Sequence, residues 1–196
     1  MQATGWTFRA QNVASGTTSL VLTKPSGTVD NDIMLIWITH KGAGYGVFPA
    51  GWALVAQDIS GSTRGELYWK RAATEGANYT ITGLADTATG LIASYIGGLL
   101  AGDIIDVSDT QVNASLSHVS PQVTPTVAET LLVSSVHQGA NLSIGTQGTG
   151  QSFDSPNEFS NFGEWDEQLN NMRTLSDAGT NNGTDCRLGV ADACKV

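Results

Sequence analysis

Charge is scarce in this chain: Asp, Glu, Lys and Arg make up only 14% of its 196 residues, against the quarter or so usual for soluble domains. Basic residues are scarcer still, 9 against 18 acidic ones, for a formal charge of −9. They are scattered rather than grouped, so the chain repels phosphate backbones and no nucleic-acid partner is expected. The longest apolar runs, such as residues 33–38, fall far short of the ~20 residues that span a bilayer, and no membrane partner is expected. The opening residues, Met1-Gln2-Ala3-Thr4-Gly5-Trp6-Thr7, have neither a basic start nor the apolar stretch of a cleaved export signal.

Cysteine is nearly absent, with Cys186 and Cys194 both near the end. Were residues 186–194 one extended strand, a rise of ~3.3 Å per residue would hold the two sulfurs some 26 Å apart, well beyond bonding distance. A disulfide would require a turn at Gly189; free thiols are the expectation. No His or further Cys stands at zinc-finger spacing, and the expectation is no metal and no cofactor.

What the chain does have is Gly, Ser, Thr, Asn and Ala, a composition of short strands joined by polar turns. Leu20-Val21-Leu22-Thr23 alternates and is broken by Lys24-Pro25-Ser26-Gly27. Residues 33–38 are apolar on both parities, as in a central strand covered on both sides or one whose outer face meets a partner. Residues 52–57 read as another short strand. In residues 66–71, Leu67 and Trp69 share one face while Glu66, Tyr68 and Lys70 share the other. Further strands are expected at 79–82 and 91–96. Residues 164–172 fit either a strand or, through Trp165, Leu169 and Met172, a helical stripe; strand is preferred.

The pattern then recurs. Ser19-Leu20-Val21-Leu22-Thr23-Lys24-Pro25 returns loosely as Ser115-Leu116-Ser117-His118-Val119-Ser120-Pro121. The segment ending His40-Lys41-Gly42-Ala43 returns as one ending His137-Gln138-Gly139-Ala140. The expected fold is therefore an all-β, jelly-roll-like antiparallel β-sandwich built from two similar halves, in a single domain over residues 1–196. Half one covers about 17–98, a connector about 99–113, and half two about 114–196. The second half lacks counterparts of the first half's last two strands, so an open C-terminal edge is expected, closed by another chain or by sequence beyond Val196.

No catalytic motif emerges. There is no Gly-x-Ser-x-Gly elbow and no His-Glu-x-x-His. His40 and His137 follow strands at equivalent places in the repeat, and a structural role is expected for them and for His118. Gly42, Gly44 and Gly46 read as loop glycines rather than a phosphate cradle. Asp30-Asn31-Asp32 reads as a turn rather than a Ca²⁺ loop, and Glu164, Asp166 and Glu167 as a solvated edge rather than glycosidase carboxylates. Four Asn-x-Ser/Thr sequons, at Asn78, Asn113, Asn141 and Asn182, are expected by chance in so polar a chain. Tyr45, Phe48 and Trp52, with Tyr68 and Trp69, offer aromatic surface for a carbohydrate or a partner, though core filling is the commoner use of such residues.

The order Ser19-Leu20-Val21-Leu22, Pro25, Asp32-Ile33-Met34-Leu35, Gly42, Pro49-Ala50-Gly51-Trp52-Ala53-Leu54-Val55, then Leu67-Tyr68-Trp69-Lys70, Glu75 and Tyr79-Thr80-Ile81 resembles β-sandwich domains in virion proteins of tailed bacteriophages. The resemblance covers about residues 17–196. It implies a non-enzymatic structural protein of the virion, assembled in the host cytoplasm: first a capsid decoration (cement) protein that contacts the major capsid protein or other virion proteins and forms a homo-oligomer, such as a trimer. The alternative it implies is a tail, receptor-binding or adhesion module that recognises surface carbohydrate, and a glycan-active enzyme comes after both. Members of the family usually carry a further strand or two after the segment similar to Leu188-Gly189-Val190-Ala191-Asp192, and this chain does not.

Overall fold

The computed structural model describes residues 6–97 and 102–113, residues 124 and 126, and the strands at 131–138, 168–176 and 188–195. Every regular element among them is a strand. They are β1 (Thr7–Thr17), β2 (Leu20–Thr23), β3 (Ile33–Lys41), β4 (Ala53–Ser60), β5 (Thr63–Arg71), β6 (Asn78–Ile81), β7 (Thr87–Ile96), β8 (Ile105–Asn113), β9 (Leu131–Gln138), β10 (Gln168–Ser176) and β11 (Leu188–Lys195). The all-β, sandwich-like expectation holds.

The strands form a five-stranded sheet in the order β1-β7-β3-β5-β4, a four-stranded sheet β10-β9-β11-β8, and a two-stranded ribbon β2-β6. The five-stranded sheet and the ribbon are antiparallel throughout. The four-stranded sheet is mixed, because β11 runs parallel to both β8 and β9.

Strand β3 shows why the layers stack as they do. Residues directly opposite one another on neighbouring strands point to the same side of a sheet. Leu35 faces Trp69 and Ala93, and Trp37 faces Leu67 and Leu91. These side chains join one core cluster with Ile104, just before β8, and Val133 of β9. Met34, Ile36 and Ile38 point the other way, into a second cluster with Leu20 and Leu22 of β2 and Tyr79 and Ile81 of β6. The run that was apolar on both parities is thus covered on both sides, by the four-stranded sheet and by the ribbon. Residues 33–38 are all at most 1% exposed, and burial of each such Leu or Ile contributes about 1.5–3 kcal/mol before entropy is counted. Gly90 on β7 lets the ribbon approach: a Cβ there would lie 2.5 Å from Leu20 Cδ2 and 3.0 Å from Ile38 Cγ2.

Two expectations need correction, and one strand had no expectation at all. Residues 99–113 are more than a connector, because they hold β8. Its polar Asp106, Ser108, Asp109 and Thr110 masked the strand signal, while Ile104 and Ile105 dock against the core. β1 is a strand that composition hid: Gln11, Asn12, Ser15 and Gly16 are poor strand formers, yet the segment pairs with β7 from Thr7 to Thr17 at the sheet's edge, where one ladder suffices. The last strand, expected beside an open edge, lies inside its sheet between β9 and β8. Its parallel pairings supply ladders on both sides, and the edges of that sheet are β10 and β8. The repeated segment 115–121 and the acidic cluster Glu164, Asp166 and Glu167 lie outside the described residues, as does Cys186. Cys194 belongs to β11, which runs extended through Gly189.

Candidate functional site

The sequence places its candidate contacts, Tyr45, Phe48 and Trp52, in the segment joining β3 to β4. That segment folds back over the face of the sheet that carries Ile36 and Ile38, extending the cover of the ribbon. It leaves β3 through Gly42, whose φ of 112° is a left-handed conformation open to glycine at little strain. It is tied down by Gly42 N–H donating to Ser62 O at 3.0 Å and by a bridge in which Val47 and Thr82 exchange backbone hydrogen bonds of 2.7 and 3.1 Å.

The three aromatics have separate neighbours. Phe48 stacks on Tyr68 of β5, with centroids 3.6 Å apart and planes at 22°. Trp52 meets Tyr79 edge to face at 5.3 Å and 88°. Both Phe48 and Trp52 are half-buried and packed against the second core cluster. Tyr45, also half-buried, lies beneath the Arg64 guanidinium, 5.9 Å from its ring centroid. The structure therefore gathers Tyr45, Phe48, Tyr68 and Arg64 around one end of β5 and sends Trp52 toward the ribbon. Trp69 points to the opposite face and packs on the first core cluster.

Beneath this group lies a residue that the alternation of β5 assigns to the same polar face as Tyr68 and Lys70. Glu66 is fully buried, as is His40, which stands two residues beyond Glu66's β3 partner Ile38. His40 Nε2 lies 2.8 Å from Glu66 Oε1, the Gly46 N–H donates to the same oxygen at 2.8 Å, and the Tyr68 hydroxyl donates to Oε2 at 3.1 Å. Burial, with Glu66 beside it, pushes the Tyr68 hydroxyl above its usual range, so it remains a donor. A buried carboxylate is tolerated only when so many donors converge on it. The signal was present in the sequence: a strand paired with a two-sided β3 must share its covered faces, so Glu66 had to be covered too. His40, expected to be structural, is buried and joined to Glu66.

A second network surrounds Glu75. Lys70 Nζ donates at 3.0 Å and Tyr79 OH at 2.9 Å to Oε2, and Ala73 N–H donates to Oε1 at 3.0 Å. Burial works to raise the Glu75 carboxyl, but these hydrogen bonds and the Lys70 charge outweigh it and hold the group below its usual range. Asp30, Asn31 and Asp32 form a turn. Asp30 accepts from Thr74 N–H, Asn31 adopts φ 73°, and Asp32 pairs with Arg9 through Nη2 at 3.0 Å and Nε at 2.6 Å.

Strand β4 borders this region. It pairs with β5 on one side and with no strand on the other among the described residues. Leu54 stands opposite Tyr68 and Ile59 opposite Arg64, so both share the face of the aromatic group, and they are 47% and 45% exposed. A bulge between Leu54 and Ala56 interrupts the ladder.

Among the described residues no group of three or more His, Cys, Asp or Glu is placed to hold a metal ion, and no helix is long and apolar enough to cross a membrane. Fold and site together define an all-β, sandwich-like protein with a pinned aromatic loop beside β4, whose Leu54 and Ile59 side chains are exposed. No protein-family model, curated protein or solved structure significantly matches the chain.

Proposed function

We propose that this chain is a structural protein of a tailed-phage virion that decorates the capsid, with the β4 edge and its flanking aromatic loop as the surface that meets a coat subunit. The single observation that carries the reading is the outward face of β4, where Leu54 and Ile59 are exposed on a strand that pairs on one side only among the described residues. Natural sheet edges are commonly blunted by lysine, proline or inward-pointing charge, and an apolar row at an edge favours a partner. The bulge at Leu54 and Ala56 disfavours indefinite strand addition and suits one specific partner. The phage-like order of residues from Ser19 to Ile81 supplies the virion context. The chemistry is non-enzymatic in this reading: His40 and Glu66, the described His–carboxylate pair, are sealed from solvent and bind the protein's own loop.

The test is co-sedimentation of the purified chain with phage capsids stripped of accessory proteins, beside a native mass spectrum of the chain alone. Saturable binding, lost in Leu54→Lys and Ile59→Lys variants that fold normally, is the expected result. A chain that stays monomeric and binds no capsid sinks the decoration reading, and binding unaffected by both variants removes β4 as the surface. A second reading, recognition of surface carbohydrate, rests on Tyr45, half-buried beneath Arg64 and beside the Phe48–Tyr68 stack. Glycan-array binding abolished by Tyr45→Ala would favour it.

A further inference from the structure

We infer that Arg64, over the ring of Tyr45, is the receptor for a carboxylate borne on a sugar ring, so that the saccharide this surface takes is an acidic one. The inference rests on the second reading above, carbohydrate recognition at Tyr45, and deepens it by naming the class of sugar. Arg64 is half-buried near the start of β5, in register with Ile59 of β4 on one side and His40 of β3 on the other. Its guanidinium lies 5.9 Å from the Tyr45 ring centroid. Nη1 donates one long hydrogen bond, 3.5 Å, to Gly61 O, and Nε is buried with no hydrogen-bond partner. No ion pair ties Arg64 to a carboxylate among the described residues.

Carboxylates are not what the chain is short of, since it has 18 acidic residues against 9 basic ones. Arg9 is taken by Asp32 and Lys70 by Glu75. Glu66, two residues along β5 on the face of Arg64, has both oxygens occupied: Oε1 by His40 and the Gly46 amide, Oε2 by the Tyr68 hydroxyl. Asp58 stands opposite Gly65 and so alternates to the other face of the sheet. Asp86, exposed beyond β6, accepts from the Thr87 N–H at 2.7 Å. A guanidinium stays charged throughout the accessible pH range, and one held over an aromatic ring keeps its in-plane N–H groups as a fork that matches a carboxylate.

Two further features narrow the ligand. The formal charge of −9 repels polyanions, so a single carboxylate suits the site and a phosphate chain does not. Around the cation the surface is apolar and aromatic: Ile59 is exposed directly beside Arg64, Leu54 is exposed further along β4, and Tyr45 lies beneath the guanidinium. A uronic acid answers both features in one small molecule. Its ring C–H face packs on aromatic and aliphatic side chains, and its carboxylate meets the guanidinium fork.

The experiment titrates the full chain with D-glucuronate, and in separate arms with D-glucose and with acetate, following the Arg64 Nε–H and the Tyr45 ring by NMR. Glucuronate should shift both signals saturably at millimolar concentration, with a Kd about tenfold or more below that of glucose or acetate. Arg64→Lys keeps the charge but loses the fork, and should weaken glucuronate binding by about 10- to 100-fold, as loss of one charge-assisted hydrogen bond does. No saturable shift with glucuronate, or binding unchanged in Arg64→Lys, overturns the inference. Acetate that binds as tightly as glucuronate also overturns it and makes an acidic peptide the partner that Arg64 serves. Glucose that binds at Tyr45 as tightly as glucuronate sinks the acidic class while the carbohydrate reading survives, so the two failures are distinguishable. Because the three arms are read in the wild type, the test stands even if the variant fails to fold. Capsid binding of the β4 variants bears on neither.

Discussion

Removing the Glu66 carboxylate should be among the more costly single changes in the first hundred residues, and the cost should be partly reversed by a second mutation. In Glu66→Ala the fully buried His40 Nε2 and the Gly46 N–H lose their acceptor, whereas the half-buried Tyr68 hydroxyl can turn to water. Two orphaned buried donors at about 1–3 kcal/mol each put the loss at about 2–6 kcal/mol. Replacing both partners, as in His40→Leu/Glu66→Leu, removes one orphan and fills the space with apolar volume, leaving chiefly the Gly46 amide unpaired. The double variant should then lose only about 1–3 kcal/mol, less than Glu66→Ala alone. Equilibrium urea denaturation, monitored by tryptophan fluorescence and far-UV circular dichroism, measures both numbers. A loss under about 1 kcal/mol in Glu66→Ala, at the low edge of what one orphaned buried donor costs, would refute the reasoning. So would a double variant as unstable as the sum of its two singles.

Two further outcomes follow from the same coordinates. Glu75 is held below its ordinary carboxyl range, so its stabilising effect should be fully present above the unfolded carboxylate value of about 4.3 and fade as the pH falls through its lower folded value. The stability gap between wild type and Glu75→Gln should thus be widest near neutral pH and close in acid, as measured by denaturation at a series of pH values. At Gly46 an added Cβ would lie 2.8 Å from Ile81 Cγ2 and 3.1 Å from Ile38 Cδ1, both on fully buried side chains. Gly46→Ala should therefore cost about 1–3 kcal/mol by overpacking, read from the shift of the denaturation midpoint.

Much of the fold was legible because apolar periodicity reports burial directly. Residues 33–38, apolar on both parities, announced a two-sided strand, and β4, β5, β6 and β7 overlap the short segments read as strands at 52–57, 66–71, 79–82 and 91–96. β1 and β8 were hidden for a shared physical reason: polar residues interrupt the apolar alternation of each, so pairing with a neighbouring strand rather than hydrophobic patterning marks them. The placement of β11 inside its sheet was equally out of reach, since strand order depends on pairing across long separations that periodicity does not encode. At the candidate site, Tyr45, Phe48 and Trp52 could be named but not sorted. Only the packed structure separates Trp52, turned toward Tyr79, from Phe48, stacked on Tyr68. Alternation within β5 placed Glu66 on the face of Tyr68 and Lys70 but could not say that this face is covered, which follows only from the two-sided β3 beside it.

The central structural claim is that β3, in the middle of its sheet, is buried on both faces by the chain's own layers. The most direct test compares Leu35→Ala with Ile36→Ala, adjacent residues that point into opposite core clusters. Denaturation of the dilute monomer should show each variant destabilised by about 2–5 kcal/mol. A full loss for one and a loss under about 1 kcal/mol for the other, below the range for emptying a packed site, would mean that one face of the sheet is open in solution, and would contradict the account.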